Sequence, residues 1–200
     1  MTKTYLLNDT VNLARPTAIN GIERDTAAVG FSMISEHKTG ALLRILAASK
    51  PGGAFLELGT GTGASTAWIL EGMDTTATLL TVDNDAKYVE IARRHLGPDR
   101  RLTFQVEDGS SFLRGLDNRQ FDLIFADTWP GKFDHLEEAL ELLSSGGLYV
   151  IDDLLPQANW PDGHAPKVSA LINTLEADRR LALCKLSWSS GIIIATRRAT

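Results

Sequence analysis

A glycine-rich turn at residues 59–63 is the feature that most constrains how this chain can fold. The apolar run 54–58 precedes the turn and helix-compatible residues follow it, so the pattern predicts a buried strand that breaks sharply into a helix. Glycine leaves the backbone open to a ligand, and the free N–H groups of a helix N-terminus point at the same place. The sequence therefore predicts a small-molecule site directly after this strand.

The spacing of the glycines narrows the choice of ligand. Gly59, Gly61 and Gly63 form Gly-x-Gly-x-Gly, whereas the pyrophosphate site of a dinucleotide-binding fold has Gly-x-Gly-x-x-Gly. Glu57 stands two residues before the first glycine, and an acid at a strand end suits a cationic or hydroxyl-bearing ligand better than a phosphate. An NAD-dependent oxidoreductase and a turn without any ligand are the alternatives that this spacing leaves open.

Residues 57–63, with the sequence Glu-Leu-Gly-Thr-Gly-Thr-Gly, resemble the first motif of class I S-adenosylmethionine-dependent methyltransferases. The likeness extends over about residues 30–200 and is strongest to the small catechol/caffeoyl-CoA-type O-methyltransferases. The cofactor contacts that we expect are Met33, Glu57, Gly59, Thr60, Gly61, Gly63, Ser65, Asp83, Asn84, Asp108, Gly109, Asp127 and Trp129. The resemblance implies S-adenosyl-L-methionine as the cofactor.

Short apolar runs alternate with helical patterns along the rest of the chain. Strands are predicted over 78–82, 102–107, 121–126 and 148–151, and helices over 86–96, 110–116, 134–143 and 166–178. This alternation predicts an α/β fold with a Rossmann-like, doubly wound parallel sheet. The last two runs, 181–188 and 191–196, are linked only by Ser189 and Ser190, which requires an antiparallel hairpin. The resemblance implies seven strands in the order 3-2-1-4-5-7-6.

The N-terminal segment has a different character. Residues 1–24 lack a clear period, whereas from Asp25 the pattern is helical, with Val29, Met33 and Ile34 on one face. A second helix is predicted around residues 42–47. We therefore expect an N-terminal extension over 1–24, serving as a lid or a dimer contact, and a methyltransferase domain over 25–200. Small members of the family are commonly dimers, so the resemblance implies a homodimer.

Length, charge and cysteine content limit the classes of partner. The 200 residues, 44% hydrophobic and 22% charged, fit one globular domain, and a net charge of -5 argues against a nucleic-acid partner. No stretch reaches the roughly 20 apolar residues that span a bilayer, so no membrane partner is expected. The single cysteine, Cys184, lies in an apolar run and is expected to be buried and reduced. These features predict a cytoplasmic location.

Acidic residues stand at or just after the ends of successive predicted strands. They are Glu57, Asp83, Asp108, Asp127 and Asp152. In an open α/β sheet, ligands bind beyond these carboxyl ends, although a single acid there is also a common helix cap. Asp83 lies 20 residues after Gly63, the reach at which a carboxylate can accept hydrogen bonds from both hydroxyls of a ribose.

The resemblance assigns further contacts on the cofactor. It implies that Asp108 accepts a hydrogen bond from the adenine amino group, with Gly109 beside the ring. It places Met33 near the methionine end of the cofactor, Ser65 at its carboxylate and Trp129 against it. Core packing is the alternative for Met33, and a helix N-cap is the alternative for Ser65.

Asp127, Asp152 and Asp153 form an oxygen-rich set that suits Mg²⁺ or another divalent cation. The small metal-dependent O-methyltransferases that this sequence resembles carry Asp-Asn after the fifth strand. This chain has Asp-Asp there, as do some sugar O-methyltransferases of the same superfamily. Without a metal, Asp152 and Asp153 would cap a loop and Asp127 would act as the base. Lys132 resembles the general base of the catechol enzymes but sits two residues later, so a solvated lysine is the alternative. Asp127 and Lys132 are the catalytic candidates.

The loop 154–164 follows the proposed metal ligands and is expected to shape the acceptor pocket. Trp160 would form a wall, and His164 would be a polar contact or, alternatively, an exposed loop histidine. Together these features predict an S-adenosylmethionine-dependent O-methyltransferase, divalent-metal assisted, acting on a small hydroxylated acceptor such as a catechol-like compound. A non-catalytic module that binds S-adenosylmethionine is the remaining alternative.

Overall fold

The computed structural model describes residues 8–9, 13–116, 119–158 and 160–199. The strands are β1 (Ala54–Leu58), β2 (Thr78–Asp83), β3 (Leu102–Val106), β4 (Phe121–Ala126), β5 (Leu143–Ile151), β6 (Leu181–Leu186) and β7 (Ile192–Arg197). The helices are α1 (Ile19–Ala28), α2 (His37–Ala48), α3 (Ala64–Gly72), α4 (Ala86–Leu96), α5 (Gly109–Gly115), α6 (Leu136–Glu141) and α7 (His164–Ala177).

In the described part of the chain, the seven strands form one sheet in the order β3-β2-β1-β4-β5-β7-β6. Neighbouring strands from β3 to β5 run parallel, while β7 is antiparallel to both β5 and β6. The predicted fold class, strand order and C-terminal hairpin are therefore confirmed. The short link between β6 and β7 leaves no room for a helical crossover, which forces the antiparallel pairing.

Successive side chains of the central strands point to opposite faces of the sheet, and each face has its own core. On one side Leu56 and Ile124 pack with Tyr149. On the other, Phe55 and Phe125 pack with Trp68 of α3. Because helices cover both faces, the central strands are apolar throughout and their carboxyl ends form an open edge.

The predicted start and end of the first helix are both wrong, whereas the division into an extension over 1–24 and a domain over 25–200 stays a prediction. Helix α1 begins at Ile19, inside the segment where no helix was expected, and crosses the predicted boundary between residues 24 and 25. Ile19 and Ile22 are buried against α3, and this tertiary burial is what fixes the helix. The helix also ends earlier than predicted, because Gly30 adopts a φ of 70° that stops it.

The segment after α1, residues 31–36, is irregular rather than helical. Met33 is 66% exposed, so it does not lie on a buried helix face. The roles suggested for residues 1–24, a lid or a dimer contact, fall partly on residues outside the described ranges and stay predictions.

Two smaller differences have local causes. Strand β5 begins at Leu143 rather than at 148, because Leu143 already pairs with Phe121 before the register shifts. Cys184, expected to be buried, is exposed. It lies on the edge strand β6, on the face opposite Leu181 and Leu183, which pack into the core. Within the described ranges, no helix is both long enough and apolar enough to cross a membrane.

The contact between α2 and α3 gives a test of this packing. A Cβ on Gly72 would lie 2.0 Å from the backbone carbonyl oxygen of Arg44. Although alanine is the better helix former, we expect Gly72→Ala to lower the free energy of unfolding by about 1–3 kcal/mol, because the two helices must separate. Thermal unfolding followed by circular dichroism measures the change.

The matched control is Gly115→Ala at the end of α5, where an added Cβ meets nothing within 4 Å. Its stability should stay within about 0.5 kcal/mol of the parent protein. Equal stability of the two variants would show that the close approach of α2 and α3 is wrong.

Candidate active site

The carboxyl ends of β1, β4 and β5 meet in register. Leu58 pairs with Ala126, and Ala126 pairs with Ile151. The residues that follow these three positions are Gly59, Asp127 and Asp152. A cavity of about 580 Å³ lies over these strand ends, which is within the usual range for small-molecule sites. The topology therefore brings the glycine turn and two of the predicted acids to one place.

The glycine turn forms one wall of the cavity. Gly59, Gly61 and Gly63 all have positive φ, at 104°, 49° and 93°. A Cβ at Gly59 would lie 3.1 Å from the carbonyl oxygen of Asp127, and one at Gly63 would lie 2.7 Å from the Cβ of Ala92. The first glycine thus lets the turn approach β4, and the third lets it approach α4. Gly59, Thr60 and Gly61 line the cavity directly.

Asp83 holds the glycine turn and also faces the cavity. Its Oδ2 accepts a hydrogen bond from the Gly61 N–H at 2.8 Å, and its Oδ1 accepts one from the Asp85 N–H at 2.9 Å. Asp83 and Asn84 both line the cavity. Because a carboxylate oxygen has two lone pairs, each oxygen of Asp83 can accept a further hydrogen bond from a bound ligand.

Glu57 lies behind the glycine turn and does not line the cavity. It is fully buried and accepts hydrogen bonds from the Thr66 hydroxyl at 2.5 Å and the Thr81 hydroxyl at 2.6 Å. Burial raises the pKa of Glu57 to about 7, because removal from water disfavours the charged form. Its position ties α3 to β1 and β2 from beneath the site.

Two further predicted contacts lie outside the cavity wall. Asp108 is the exposed N-cap of α5 and accepts a hydrogen bond from the Ser111 N–H at 2.9 Å, which lowers the pKa of its carboxyl. A Cβ at Gly109 would lie 3.0 Å from the Pro130 ring, so this glycine allows the close approach of the β4–α6 connection. Their role at an adenine ring stays a prediction.

The alternatives for Met33 and Ser65 do not hold. Met33 is exposed at the cavity and is not a core residue. Ser65 is buried and lines the cavity, while the N-cap position of α3 belongs to Gly63. Both residues are therefore placed where a ligand in the cavity would meet them.

Phe31 and Tyr88 were not predicted as part of the site. Their ring centroids lie 4.5 Å apart, both line the cavity, and Phe31 packs over Gly61, where a Cβ would be 3.3 Å from its ring. Phe31 gave no periodic signal, because it lies in the irregular segment 31–36. Tyr88 lies three residues after Asp85, the N-cap of α4, so its place in the first turn of that helix could have indicated it.

Asp127 and Asp152 both line the cavity and form an interacting acidic pair. Burial, and secondly the charge of Asp152, raise the pKa of Asp127 to about 8. Burial also raises the pKa of Asp152, which is only 3% exposed. The Ser35 hydroxyl donates to Asp127 at 3.2 Å, and the Ser190 hydroxyl donates to Asp152. The segment 31–36 and the β6–β7 turn thus both contact the acids.

Lys132 is buried next to this pair, so the alternative of a solvated lysine is wrong. It is 3% exposed, lines the cavity, and donates from Nζ to the backbone carbonyl of Asp152 at 3.0 Å. Its positive charge lowers the pKa of Asp127 and of Asp152, opposing the effect of burial. The offset of two residues from the family spacing does not move it out of the site, because the tight turn 129–134 folds back over the strand ends.

The carboxylate of Asp153 points in a different direction from that of Asp152. Its backbone is left-handed, with a φ of 63°. Its Oδ1 accepts a hydrogen bond from the Trp160 indole N–H at 2.7 Å, and its Oδ2 lies 3.6 Å from His164 Nε2. Among the described residues, no group of three or more His, Cys, Asp or Glu side chains is arranged to hold a metal ion. The three predicted metal ligands therefore do not converge as a set.

An aromatic wall, defined here as Trp129, Phe133, Trp160 and His164, closes the far side of the cavity. The His164 ring lies 4.4 Å from the Trp160 ring and 5.0 Å from the Phe133 ring, measured between centroids. His164 is only 4% exposed, so its interpretation as an exposed loop histidine is wrong, and burial lowers its pKa. Trp129, 40% exposed, lines the cavity as Trp160 does.

Ser190 is another residue that sequence reasoning missed. It was treated only as part of the hairpin link, yet its hydroxyl holds Asp152 and it lines the cavity. The signal was present in the predicted topology. A strand antiparallel to β5 must begin at the edge where β5 ends, as the pairing of Ile151 with Ile193 shows.

Comparison with known proteins agrees with this geometry. Residues 56–154 match a family model described as a methyltransferase domain. A protein of Mycobacterium bovis that is provisionally named an O-methyltransferase is 31% identical over 169 residues, which cover 79% of this chain and 75% of the relative.

Solved structures show the same fold. The O-methyltransferase from Bacillus cereus in complex with S-adenosylhomocysteine superposes with a TM-score of 0.83 at 20% identity, covering 94% of each chain. A provisionally named O-methyltransferase from Klebsiella pneumoniae superposes with a TM-score of 0.79 at 26% identity, covering 93% of this chain and 91% of the other.

The fold, the glycine turn and the acids at the strand ends define a class I methyltransferase. The chain belongs to the S-adenosylmethionine-dependent O-methyltransferases, as the sequence resemblance implied. Because the chain belongs to this family, the two alternative interpretations, an NAD-dependent oxidoreductase and a non-catalytic binding module, are set aside.

The buried Glu57 makes a pH-dependent prediction. Its pKa rises from 4.5 to about 7 on folding, so the folded state binds the proton more tightly and loses stability as the pH increases from about 4.5 to 7. Glu57→Gln removes this titration. Relative to the parent protein, the variant should gain about 2–3 kcal/mol of unfolding free energy between pH 5 and pH 8.

Urea unfolding at the two pH values measures the gain, and any constant cost of the substitution cancels. The exposed Glu71→Gln is the control and should show a difference that does not vary with pH. A pH-independent difference for Glu57→Gln as well would contradict the buried, shifted carboxyl.

Proposed function

We propose that this protein transfers the methyl group of S-adenosyl-L-methionine to a hydroxyl of a small acceptor, with a catechol-like ring as the preferred kind. One observation supports this most strongly. A single cavity runs from Asp83 and the glycine turn to Asp127, Lys132 and the aromatic wall. Two molecules bound at the two ends of this cavity would therefore meet at Asp127.

The cofactor fits the end formed by the glycine turn. The free lone pairs of Asp83 suit the two ribose hydroxyls, with Asn84 beside them. Ser65 at the start of α3 suits the carboxylate of the methionine part, since helix N-termini favour negative charge. Phe31 and Tyr88 would cover the nucleoside. The structure of the Bacillus cereus protein contains S-adenosylhomocysteine, which supports this choice of cofactor.

The remaining predicted contacts complete the proposed cofactor site. Met33 and Trp129 line the same cavity as Asp127, which supports a position for them beside the sulfonium. Adenine would extend toward Asp108 and Gly109 beyond the end of β3, as the resemblance implies. Glu57 would act through the structure of the turn, because it lies beneath the cavity and not on its wall.

The chemistry is a direct displacement at the methyl carbon. The acceptor oxygen forms a bond to this carbon while the carbon–sulfur bond breaks, and the bonding pair returns to sulfur to give S-adenosylhomocysteine. The hydroxyl proton passes to Asp127 in its ionised form, which becomes the main form as the pH rises above its raised pKa of about 8. The Lys132 ammonium donates a hydrogen bond to the acceptor oxygen. Holding the oxygen in line with the methyl group supplies much of the rate.

The aromatic wall favours a planar acceptor. Trp129 and Trp160 present ring surfaces to the cavity, and offset or edge-on contacts between aromatic rings are favourable beyond their buried area. Asp153 and His164 behind them provide polar groups for a second substituent on the ring. A ring with neighbouring hydroxyl groups matches this combination.

The divalent cation predicted at Asp127, Asp152 and Asp153 is not part of this mechanism. Asp153 is directed at Trp160, and Lys132 already lies beside the other two acids. The residues present therefore do not fit a metal centre. The homodimer and the cytoplasmic location also stay predictions from the sequence.

Asp83 provides the test of cofactor binding. Asp83→Asn keeps the size of the side chain but removes the charge that a ribose hydroxyl would meet, so the dissociation constant for S-adenosylmethionine should rise about tenfold or more. Isothermal titration calorimetry measures it. The control is Glu90→Gln on the exposed side of α4, which should bind as the parent protein does. Unchanged affinity of Asp83→Asn would remove the ribose assignment.

Asp127 provides the test of catalysis. Transfer of a radiolabelled methyl group to a panel of catechols, phenols and aliphatic alcohols should identify an oxygen-methylated product. Asp127→Asn should then lower kcat by about 10²–10⁴-fold, because the proton acceptor is lost. The nearby exposed Asp134→Asn is the control and should retain activity. Cofactor binding without transfer to any hydroxyl would refute the proposed function.

A further inference from the structure

Lys132 lies where its positive charge can neutralise part of the charge of Asp127 and Asp152. The metal-dependent relatives hold a cation with acids at the ends of the fourth and fifth strands. Here the corresponding acids are Asp127 and Asp152, and both are in the cavity. Carboxylates that interact in a buried site need a positive charge nearby or must share a proton.

One carboxylate oxygen of each acid is already engaged by protein donors. Asp152 Oδ1 accepts from the Ser190 hydroxyl and from the Asp153 N–H at 2.7 Å, and Asp127 Oδ2 accepts from the Ser35 hydroxyl at 3.2 Å. The backbone carbonyl of Asp152 is bound by Lys132 Nζ. Mg²⁺ requires six oxygens in near-octahedral geometry, so engaged and diverging oxygens disfavour it.

The backbone conformation of Asp153 directs its carboxylate away from Asp127 and Asp152. Its left-handed conformation points the carboxylate at the Trp160 indole N–H, which donates at 2.7 Å. The second acid of the Asp-Asp pair, which replaces the Asn of Asp-Asn, therefore accepts a hydrogen bond from the aromatic wall. This arrangement leaves two carboxylates and one ammonium at the centre of the cavity.

Lys132 is held in place by its turn. Its backbone N–H donates to the Trp129 carbonyl at 3.0 Å, and Gly131 donates to the Asp134 carbonyl at 2.7 Å. The Tyr149 hydroxyl donates to the Gly131 carbonyl from the core. Gly131 itself has a φ of 83°. The ammonium is therefore a fixed charge and not the end of a flexible surface chain.

We propose that the Lys132 ammonium takes the place of the divalent cation in this chain, so that the acceptor oxygen is held by a protein donor and no metal is required. This inference rests on the proposed methyl transfer to a hydroxyl. In the displacement the ammonium keeps its protons and stabilises the developing negative charge on the acceptor oxygen. The proton of the hydroxyl goes to Asp127, as described above.

The test is a titration of the full chain, loaded with S-adenosylhomocysteine, with Mn²⁺ alone, followed by electron paramagnetic resonance. The parent protein should show no saturable binding at millimolar Mn²⁺. Lys132→Met removes the ammonium at similar volume, and the two acids should then bind Mn²⁺ at least about tenfold more tightly than in the parent protein. Methyl transfer by the parent protein should keep its rate after treatment with EDTA.

Lys132→Arg keeps the charge and should bind no more Mn²⁺ than the parent protein. Lys167→Met removes a cation 4.6 Å from the Trp129 ring, outside the acid pair, and should also leave binding unchanged. Saturable Mn²⁺ binding by the parent protein that Asp152→Asn abolishes would overturn the proposal, as would a folded Lys132→Met variant without any gain.

If Lys132→Met does not fold, saturable Mn²⁺ binding by the parent protein or by Lys132→Arg still overturns the proposal. The titration needs no acceptor, so its result is independent of the proposed function. Failure to methylate any hydroxyl would refute that function while the Mn²⁺ titration still tests the role of Lys132.

Discussion

The register of three parallel strands is the constraint on which the rest of this site depends. Because Leu58, Ala126 and Ile151 lie side by side, the chain leaves the sheet at the same level three times. The Asp127 N–H donates to the Leu58 carbonyl at 2.9 Å, and the Asp152 N–H donates to the Ala126 carbonyl at 3.3 Å, so the pairing continues into the acids. A shift of one residue in either strand would send these carboxylates to the other face.

The same register creates an electrostatic problem that the surrounding residues solve. Asp127 and Asp152 both line the cavity, and burial raises the pKa of both carboxyls. The nearby donors come from distant parts of the chain, namely Ser35 before α2, Lys132 after β4 and Ser190 before β7. The fold of the backbone brings each of these three donors to the acids, although none of them is adjacent to either acid in the sequence. The cavity is therefore assembled only when the whole sheet has formed.

Much of the fold could be predicted because its signals are local. Apolar runs of four to six residues, the glycine turn and the two-residue hairpin link each determine their own element, and β4 has the predicted bounds 121–126. The acids at the strand ends followed from the topology. Helix α1 could not be placed, since Pro16 and Gly21 obscure its pattern in the sequence and the burial of Ile19 and Ile22 against α3 decides it. Cys184 was misjudged because the apolar run around it does not show which side chains of an edge strand face the solvent.

The acidic residues of the site could be predicted from the sequence, whereas the burial of its basic and aromatic residues could not. A lysine and a histidine in loops are usually solvated, so nothing near Lys132 or His164 in sequence indicated that both are nearly fully buried. Their burial comes from a turn that folds over the strand ends and from an aromatic wall drawn from two separate segments. The divergence of Asp153 depends on one backbone angle, which composition does not specify.

The most direct measurement of the central claim is a crystal structure of the full chain with S-adenosylhomocysteine and an accepted hydroxylated ring. We expect the ribose to lie at Asp83, the sulfur to face Asp127 and Lys132, and the acceptor ring to pack against Trp129 and Trp160. A nucleoside bound outside this cavity, or a sulfur turned away from Asp127 and Lys132, would contradict it.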